Sequence, residues 1–191
     1  MATRCSSGWA RQAATNRIAR SVLIVISGLP STGKSTLADR VAAALVAPVL
    51  SVDPIESAIL RATIPRSFET GLAAYLVAET IADAHLAHGG TAIIDAVSSV
   101  EFSKQMWRDV AVRRAVPLRV IECVCTNETV HRERLARRNR GMAFDEPTWA
   151  DIERRRAEYV PWRESVLVVD AMEPVEANAR RAMEWIRTVA Q

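Results

Sequence analysis

Lysine is almost missing from this chain. Of its 25 basic residues, 23 are arginine, and the two lysines are Lys34 and Lys104. Cysteine is also scarce. Three of them cannot form a disulfide framework, and no histidine or further cysteine stands at zinc-like spacing around Cys123 and Cys125. These two lie in "RVIECVC", whose pattern predicts a buried strand with both thiols on one face. Two packed thiols fit a reducing cytosol, so the expected location is cytoplasmic. No apolar run approaches the roughly 18–20 residues that a membrane-spanning helix needs. A basic stripe is absent as well. The formal charge is +3, but residues 1–20 hold four arginines and no acid, which leaves the rest at −1. A nearly neutral body lacks the electrostatic footprint of a general nucleic-acid binder. The first 20 residues resemble a transit peptide in composition, lack the apolar core of a secretory signal, and read as a disordered extension or a misplaced start.

What is present is a regular alternation. Strand candidates are "VLIVIS" (22–27), "PVLSVD" (48–53), "TAIIDA" (91–96), "LRVIECVC" (118–125) and "VLVVDA" (166–171). Most are apolar throughout, as expected of strands covered on both faces. Helical patterns separate them, and a last one, "PVEANARRAMEWIRTVA", follows the fifth strand. In the longest, Leu72, Tyr75, Leu76, Glu79, Ile81 and Leu86 fall on helical spacing, and Gly89-Gly90 closes it. No internal repeat or linker interrupts the pattern. The expectation is one doubly wound α/β domain over residues 21–191 with a mainly parallel sheet.

The first strand runs into "SGLPSTGKST", and this is where the rare Lys34 stands. Gly28, Gly33, Lys34 and Ser35 spell G-x-x-x-x-G-K-[ST]. Glycines let the backbone turn so tightly that its N–H groups converge on phosphate oxygens, and the following helix adds its positive end. The loop Gly28, Leu29, Pro30, Ser31, Thr32, Gly33, Lys34, Ser35 and Thr36 is therefore the candidate nucleotide cradle. Lys34 is expected on the β- and γ-phosphates, with the Ser35 hydroxyl on Mg²⁺. A compact ammonium suits that role better than a broad guanidinium. No Asn-Lys-x-Asp sequence for guanine occurs, so ATP is the favoured nucleotide.

Two acids end strand candidates. Asp53, in "SVDPIES", lies where open α/β sheets bind ligands and can take the proton of an acceptor hydroxyl. It can equally cap the helix "PIESAILRA", with Glu56 completing a capping box. Asp95, in "TAIIDA", can hold Mg²⁺ or simply bond the neighbouring loop. Downstream, "HRERLARRNRGMAFDEPTWADIERRR" places Arg134 and Arg138 four apart, and Gly141 and Pro147 bracket a loop before Arg154, Arg155 and Arg156. Over about residues 137–158 this reads as an arginine-rich lid, or as a solvated face paired with Glu133, Glu153 and Glu158. Arg61, Arg66, Phe68 and Tyr75 follow the second strand and flank the expected acceptor pocket. Surface exposure is expected for the arginines, and packing for the two aromatics. Lys104 falls in an ordinary helical stretch, the histidines carry no assigned role, and the tryptophans read as packing residues.

Together, "SGLPSTGKSTLADRVAAAL", "LSVDPIES", "TAIIDA" and "CTNETVHRERLARRNRG" resemble the P-loop kinases of the AAA-domain type. That group includes polynucleotide kinase, chloramphenicol phosphotransferase, gluconate kinase, adenylylsulfate kinase and the zeta toxins. The resemblance spans about residues 21–190. It implies a P-loop NTPase fold, with a five-stranded parallel sheet of order 2-3-1-4-5, helices on both faces and a helical lid. It also implies Asp53 as catalytic base and a lid arginine on the donor phosphates, best matched by Arg138, with Arg134 and Arg140 behind it. One departure is that Ser98 stands where relatives often carry Asn after the third strand. The expected activity is ATP- and Mg²⁺-dependent transfer of the γ-phosphate to the hydroxyl of a small molecule. A polynucleotide 5′-hydroxyl kinase, a nucleotide switch and a toxin-like module are the alternatives.

Overall fold

The structure, a computed structural model, describes residues 21–188. The extension expected over residues 1–20 lies outside them. Five strands form one parallel sheet: β1 (Leu23–Ser27), β2 (Val49–Ser51), β3 (Ala92–Asp95), β4 (Leu118–Val124) and β5 (Val166–Asp170). Their order is β2-β3-β1-β4-β5, as the family resemblance implies. Among the described residues, seven helices connect and cover them: α1 (Lys34–Leu45), α2 (Val52–Arg61), α3 (Phe68–Ala87), α4 (Glu101–Arg114), α5 (Glu128–Ala136), α6 (Trp149–Ala157) and α7 (Val175–Arg187). Among the described residues no helix is long and apolar enough to cross a membrane.

The unbroken apolar strands have the burial their composition demands. All five residues of β1 are buried, because alternate side chains feed two separate cores. Leu23 and Val25 join Val120, Ile94 and Trp107 on the face covered by α2, α3 and α4. Ile24 and Ile26 join Ile93, Ile121 and Val41 on the face covered by α1 and α7. Sheet register aligns the functional strand ends. Ile26 and Ser51 both pair with Asp95, so the ends of β1, β2 and β3 lie side by side.

Three local readings change. Strand β2 stops at Ser51, and Asp53 already belongs to the first turn of α2. Pro54 is the reason: it has no N–H to donate to a sheet but is tolerated in a helix's first turn. Next, α3 is helical as expected, with Ser67 and Thr70 forming a capping box, but its inner face differs. Thr70, Ala74, Ala78, Ala82 and Leu86 are buried at four-residue spacing, whereas Leu76 and Ile81 are exposed. Small alanines let α3 sit close to its neighbours, and that closeness displaces the larger side chains to the rim.

The third change concerns Lys104, which is fully buried rather than an ordinary helical lysine. Its ammonium donates to the Val160 carbonyl and lies 4.2 Å from the Tyr159 ring centre and 4.9 Å from that of Trp162. Burial lowers its pKa, while the carboxylates of Glu122 and Glu101 oppose the shift. This lysine fastens the segment after α6 to α4. Lys104→Ala leaves the Val160 carbonyl without its donor and opens a cavity. It should reduce the unfolding free energy by about 2–4 kcal/mol in a urea titration. An unchanged midpoint would show that other contacts hold Tyr159–Trp162 in place.

Candidate active site

The loop after β1 has the shape that its glycines predict. Gly28 and Gly33 both have positive φ, and so does Ser31 at 65°, an uncommon conformation for a residue with a side chain. At Gly28 a Cβ would overlap the carbonyl oxygen of Cys123, so only glycine lets the loop lie this close to β4. The Leu29 carbonyl accepts from Thr32 Oγ1 at 2.8 Å and from Lys34 Nζ at 3.0 Å. Helix α1 then begins after Gly33 with no side-chain cap and no acid in its first turn. Its first N–H groups and its dipole are left to an anion.

Lys34 itself is buried. Burial lowers its pKa below the ordinary value of 10.5, while Asp95 and Asp53 pull the other way. Asp95, also buried, accepts from Ser35 Oγ at 2.7 Å and from Ser51 Oγ at 3.1 Å. The hydroxyl and the carboxylate assigned to Mg²⁺ are therefore adjacent. Among the described residues no cluster of three or more His, Cys, Asp or Glu is arranged to hold a metal unaided. A magnesium ion here would need phosphate and water oxygens to complete its shell, which is its habit in phosphoryl-transfer sites. Ser35 and Asp95 fit that ion.

Because Ser51 turns its hydroxyl to Asp95, it does not cap α2, although it occupies the N-cap position. The capping box between Asp53 and Glu56 is not formed either. Glu56 instead accepts from Arg66 at 3.1 Å. Asp53 faces two arginines: Arg140 donates to its Oδ2 at 3.0 Å and Arg138 at 3.4 Å. Arg138 also bonds Glu146, whose other oxygen accepts from the Arg140 N–H at 2.7 Å. Arg134 and Arg138 do not share a helix face, since α5 ends at Ala136 and Arg138 lies in the loop beyond. Arg134 donates to the Ala171 carbonyl at 3.1 Å. Arg137, in contrast, is a solvated residue paired with Glu133.

Two cavities meet at Arg138. One, of about 570 Å³, is walled by residues 31–37 of the loop and α1, by Arg134, Arg138 and Arg140, and by Ala171 and Asn178. The other, of about 670 Å³, contains Asp53, Glu56, Tyr75, Ser99, Arg138 and Arg155 among its walls. Phe68, expected in the core, stands on this second rim and is 79% exposed. Tyr75 both packs on the core and faces the cavity. Arg66 lies 4.2 Å from the centre of the Phe144 ring as well as on Glu56. Ser98 is fully buried and accepts from the Trp107 indole at 3.2 Å, so Ser99 faces the cavity instead.

Two supporting residues gave no sign in the sequence. His131 is buried, with Nε2 2.7 Å from the Pro30 carbonyl. A carbonyl only accepts, so Nε2 carries the proton, and α5 props the loop from behind. Glu146 is the other, one of many acids in a charged stretch. Their partners are 101 and 8 residues away respectively, and no periodicity encodes such pairs.

A family model for the AAA domain matches residues 23–159. This chain belongs to the AAA-domain family. No curated protein matches it by sequence. Solved structures are similar across nearly the whole domain. A sugar kinase from Janibacter sp. superposes with a TM-score of 0.67 at 18% identity, covering 89% of this chain and 96% of that one. The APS kinase CysC of Mycobacterium tuberculosis, in complex with AMPPNP and APS, gives 0.62 at 17%, covering 88% and 99%. Kti12 of Chaetomium thermophilum, in complex with ADP-AlF3, gives 0.67 at 18%, covering 88% and 99%. The fold is that of the P-loop kinases.

Phosphate binding beside Lys34 would be pH-dependent. A polyphosphate beside its ammonium raises the pKa that burial has lowered, so binding takes up a proton at alkaline pH. Affinity for AMPPNP is expected to be level below the lowered lysine value and to fall as pH rises through it. Calorimetry in buffers of different ionisation enthalpy would detect the uptake. A flat profile up to the ordinary lysine range would separate Lys34 from the phosphate.

Proposed function

We propose that this protein is an ATP-dependent phosphotransferase that moves the γ-phosphate to a hydroxyl of a small molecule. The observation that carries this reading is the junction of two cavities at Arg138, with the phosphate-type loop on one side and Asp53 on the other. A donor in the first cavity would direct its terminal phosphate toward the second, where an acceptor would meet the carboxylate. The donor phosphates would lie on the loop N–H groups and Lys34, which stabilise the charge that builds on the leaving oxygens. Mg²⁺, held by Ser35 and Asp95, would neutralise donor charge when bound. Asp53 would accept the proton of the acceptor hydroxyl as the new P–O bond forms and the bond to ADP breaks. Arg134 and Arg138 would bind donor phosphates, and residues 137–158 would act as the lid that keeps water out.

The acceptor cavity mixes charges of both signs with Phe68, Phe102 and Phe144 on its walls. That lining suits an acceptor with an apolar face as well as hydroxyls, and it lacks the uniformly basic surface that a nucleic-acid backbone would need.

The test is ADP release on a panel of sugars, nucleosides, antibiotics and adenylylsulfate, with and without each acceptor. One acceptor is expected to stimulate turnover, and Asp53→Asn should lower kcat by about 10²- to 10⁴-fold while ATP still binds. ATP binding with no transfer to any acceptor would favour a nucleotide switch. Undiminished turnover in Asp53→Asn would remove Asp53 as the base.

A further inference from the structure

The carboxylate proposed as the base is held by Arg138, itself proposed for the donor, and by its neighbour Arg140. Asp53 Oδ2 accepts from Arg140 at 3.0 Å and from Arg138 at 3.4 Å. All three side chains are partly buried, and Arg138 most of all. Arg138 walls both cavities, while Arg140 walls the donor cavity and reaches Asp53 on the wall of the other. Their loop is anchored independently of Asp53. Glu146 bonds Arg138 and the Arg140 N–H, and the Ala143 N–H donates to Ser57 Oγ at 2.9 Å. The backbone can therefore stay in place while the arginine side chains change partner. A guanidinium donates to carboxylate or phosphate with the same planar geometry, and a polyphosphate offers more charge than one carboxylate.

We propose that Asp53 serves as a stand-in for the donor phosphates, and that Arg140, with Arg138, is a phosphate-binding residue which leaves Asp53 when the donor arrives. Building on the phosphotransferase reading, this makes the donor a trigger. Without it, Asp53 Oδ2 is occupied by two arginines and is not free to meet an acceptor hydroxyl. With it, the arginines move to phosphate and the carboxylate is uncovered for the acceptor. Donor binds first, and Glu146 is the positioning residue that keeps Arg138 within reach of both anions.

The cost of this masking can be read without an acceptor. Mg²⁺–AMPPNP affinity is measured by calorimetry on the full chain. Asp53→Asn and Asp53→Ala are both expected to bind about fivefold tighter than the natural protein, the scale of one partly exposed ion pair. Glu173→Gln, which neutralises a carboxylate beside the donor cavity that engages no arginine among the described residues, should tighten binding less than Asp53→Asn does. In an Arg140→Gln background the gain from Asp53→Asn should shrink, because one of the released cations is gone. Equal or weaker binding in both Asp53 variants overturns the masking. So does a Glu173→Gln gain as large, or an undiminished gain with Arg140→Gln. Those results leave the donor site standing if Lys34→Ala abolishes binding. Failure of the natural protein to bind AMPPNP overturns the donor site and the masking together.

Discussion

The carboxylate of Asp95 holds the functional edge of this domain together. It accepts one hydroxyl from the start of α1 and another from the end of β2, and it is itself the last residue of β3. Three consecutive β–α crossings are thereby tied at one buried atom. Each consequence follows from that tie. The Ser35 hydroxyl is committed to Asp95. Ser51 gives up the capping role its position offers, so α2 starts uncapped and Asp53 projects from its first turn. Removing the carboxylate would leave two hydroxyls without the acceptor they share.

Around this point the electrostatics are balanced rather than biased. The buried ammonium of Lys34 is opposed by Asp95 and Asp53, and the arginines after α5 are opposed by Asp53 and Glu146. A protein that handles highly charged phosphate must keep its cations close without letting them repel one another apart. Carboxylates from other elements provide that balance, and they explain why the body of the chain stays near neutral although it is rich in arginine. Aromatic rings take up part of the remaining charge. Arg132 lies 4.1 Å from the centre of Trp149, Arg66 faces Phe144, and Lys104 is enclosed by Tyr159 and Trp162. Such stacking keeps guanidinium groups ordered at little cost in hydration.

Much of the architecture was legible because it is written in short-range pattern. Five apolar runs separated by helical spacing define a parallel sheet, and the loop from Gly28 to Thr36 announces itself through spacing that only close phosphate-like geometry demands. The boundary errors have local causes as well, such as Pro54 ending the second strand early. Less legible were residues whose role is created by contact. His131 reads as a helical histidine until α5 brings it under Pro30. Ser98 reads as a replacement for the Asn of relatives until Trp107 takes its hydroxyl. Lys104 reads as an ordinary helical residue until the chain after α6 returns across it.

By itself, the sequence determined the sheet, the phosphate-type loop and the choice of lysine at position 34, since these rest on backbone conformation and on spacing within a few residues. Only the tertiary structure decided what Asp53 touches. Its partners, Arg138 and Arg140, come from 85 and 87 residues away, and they meet it because β2 and the α5–α6 loop converge over the same strand ends. Charge pairing at that distance depends on where two independent segments land in space. No property of either segment alone contains it.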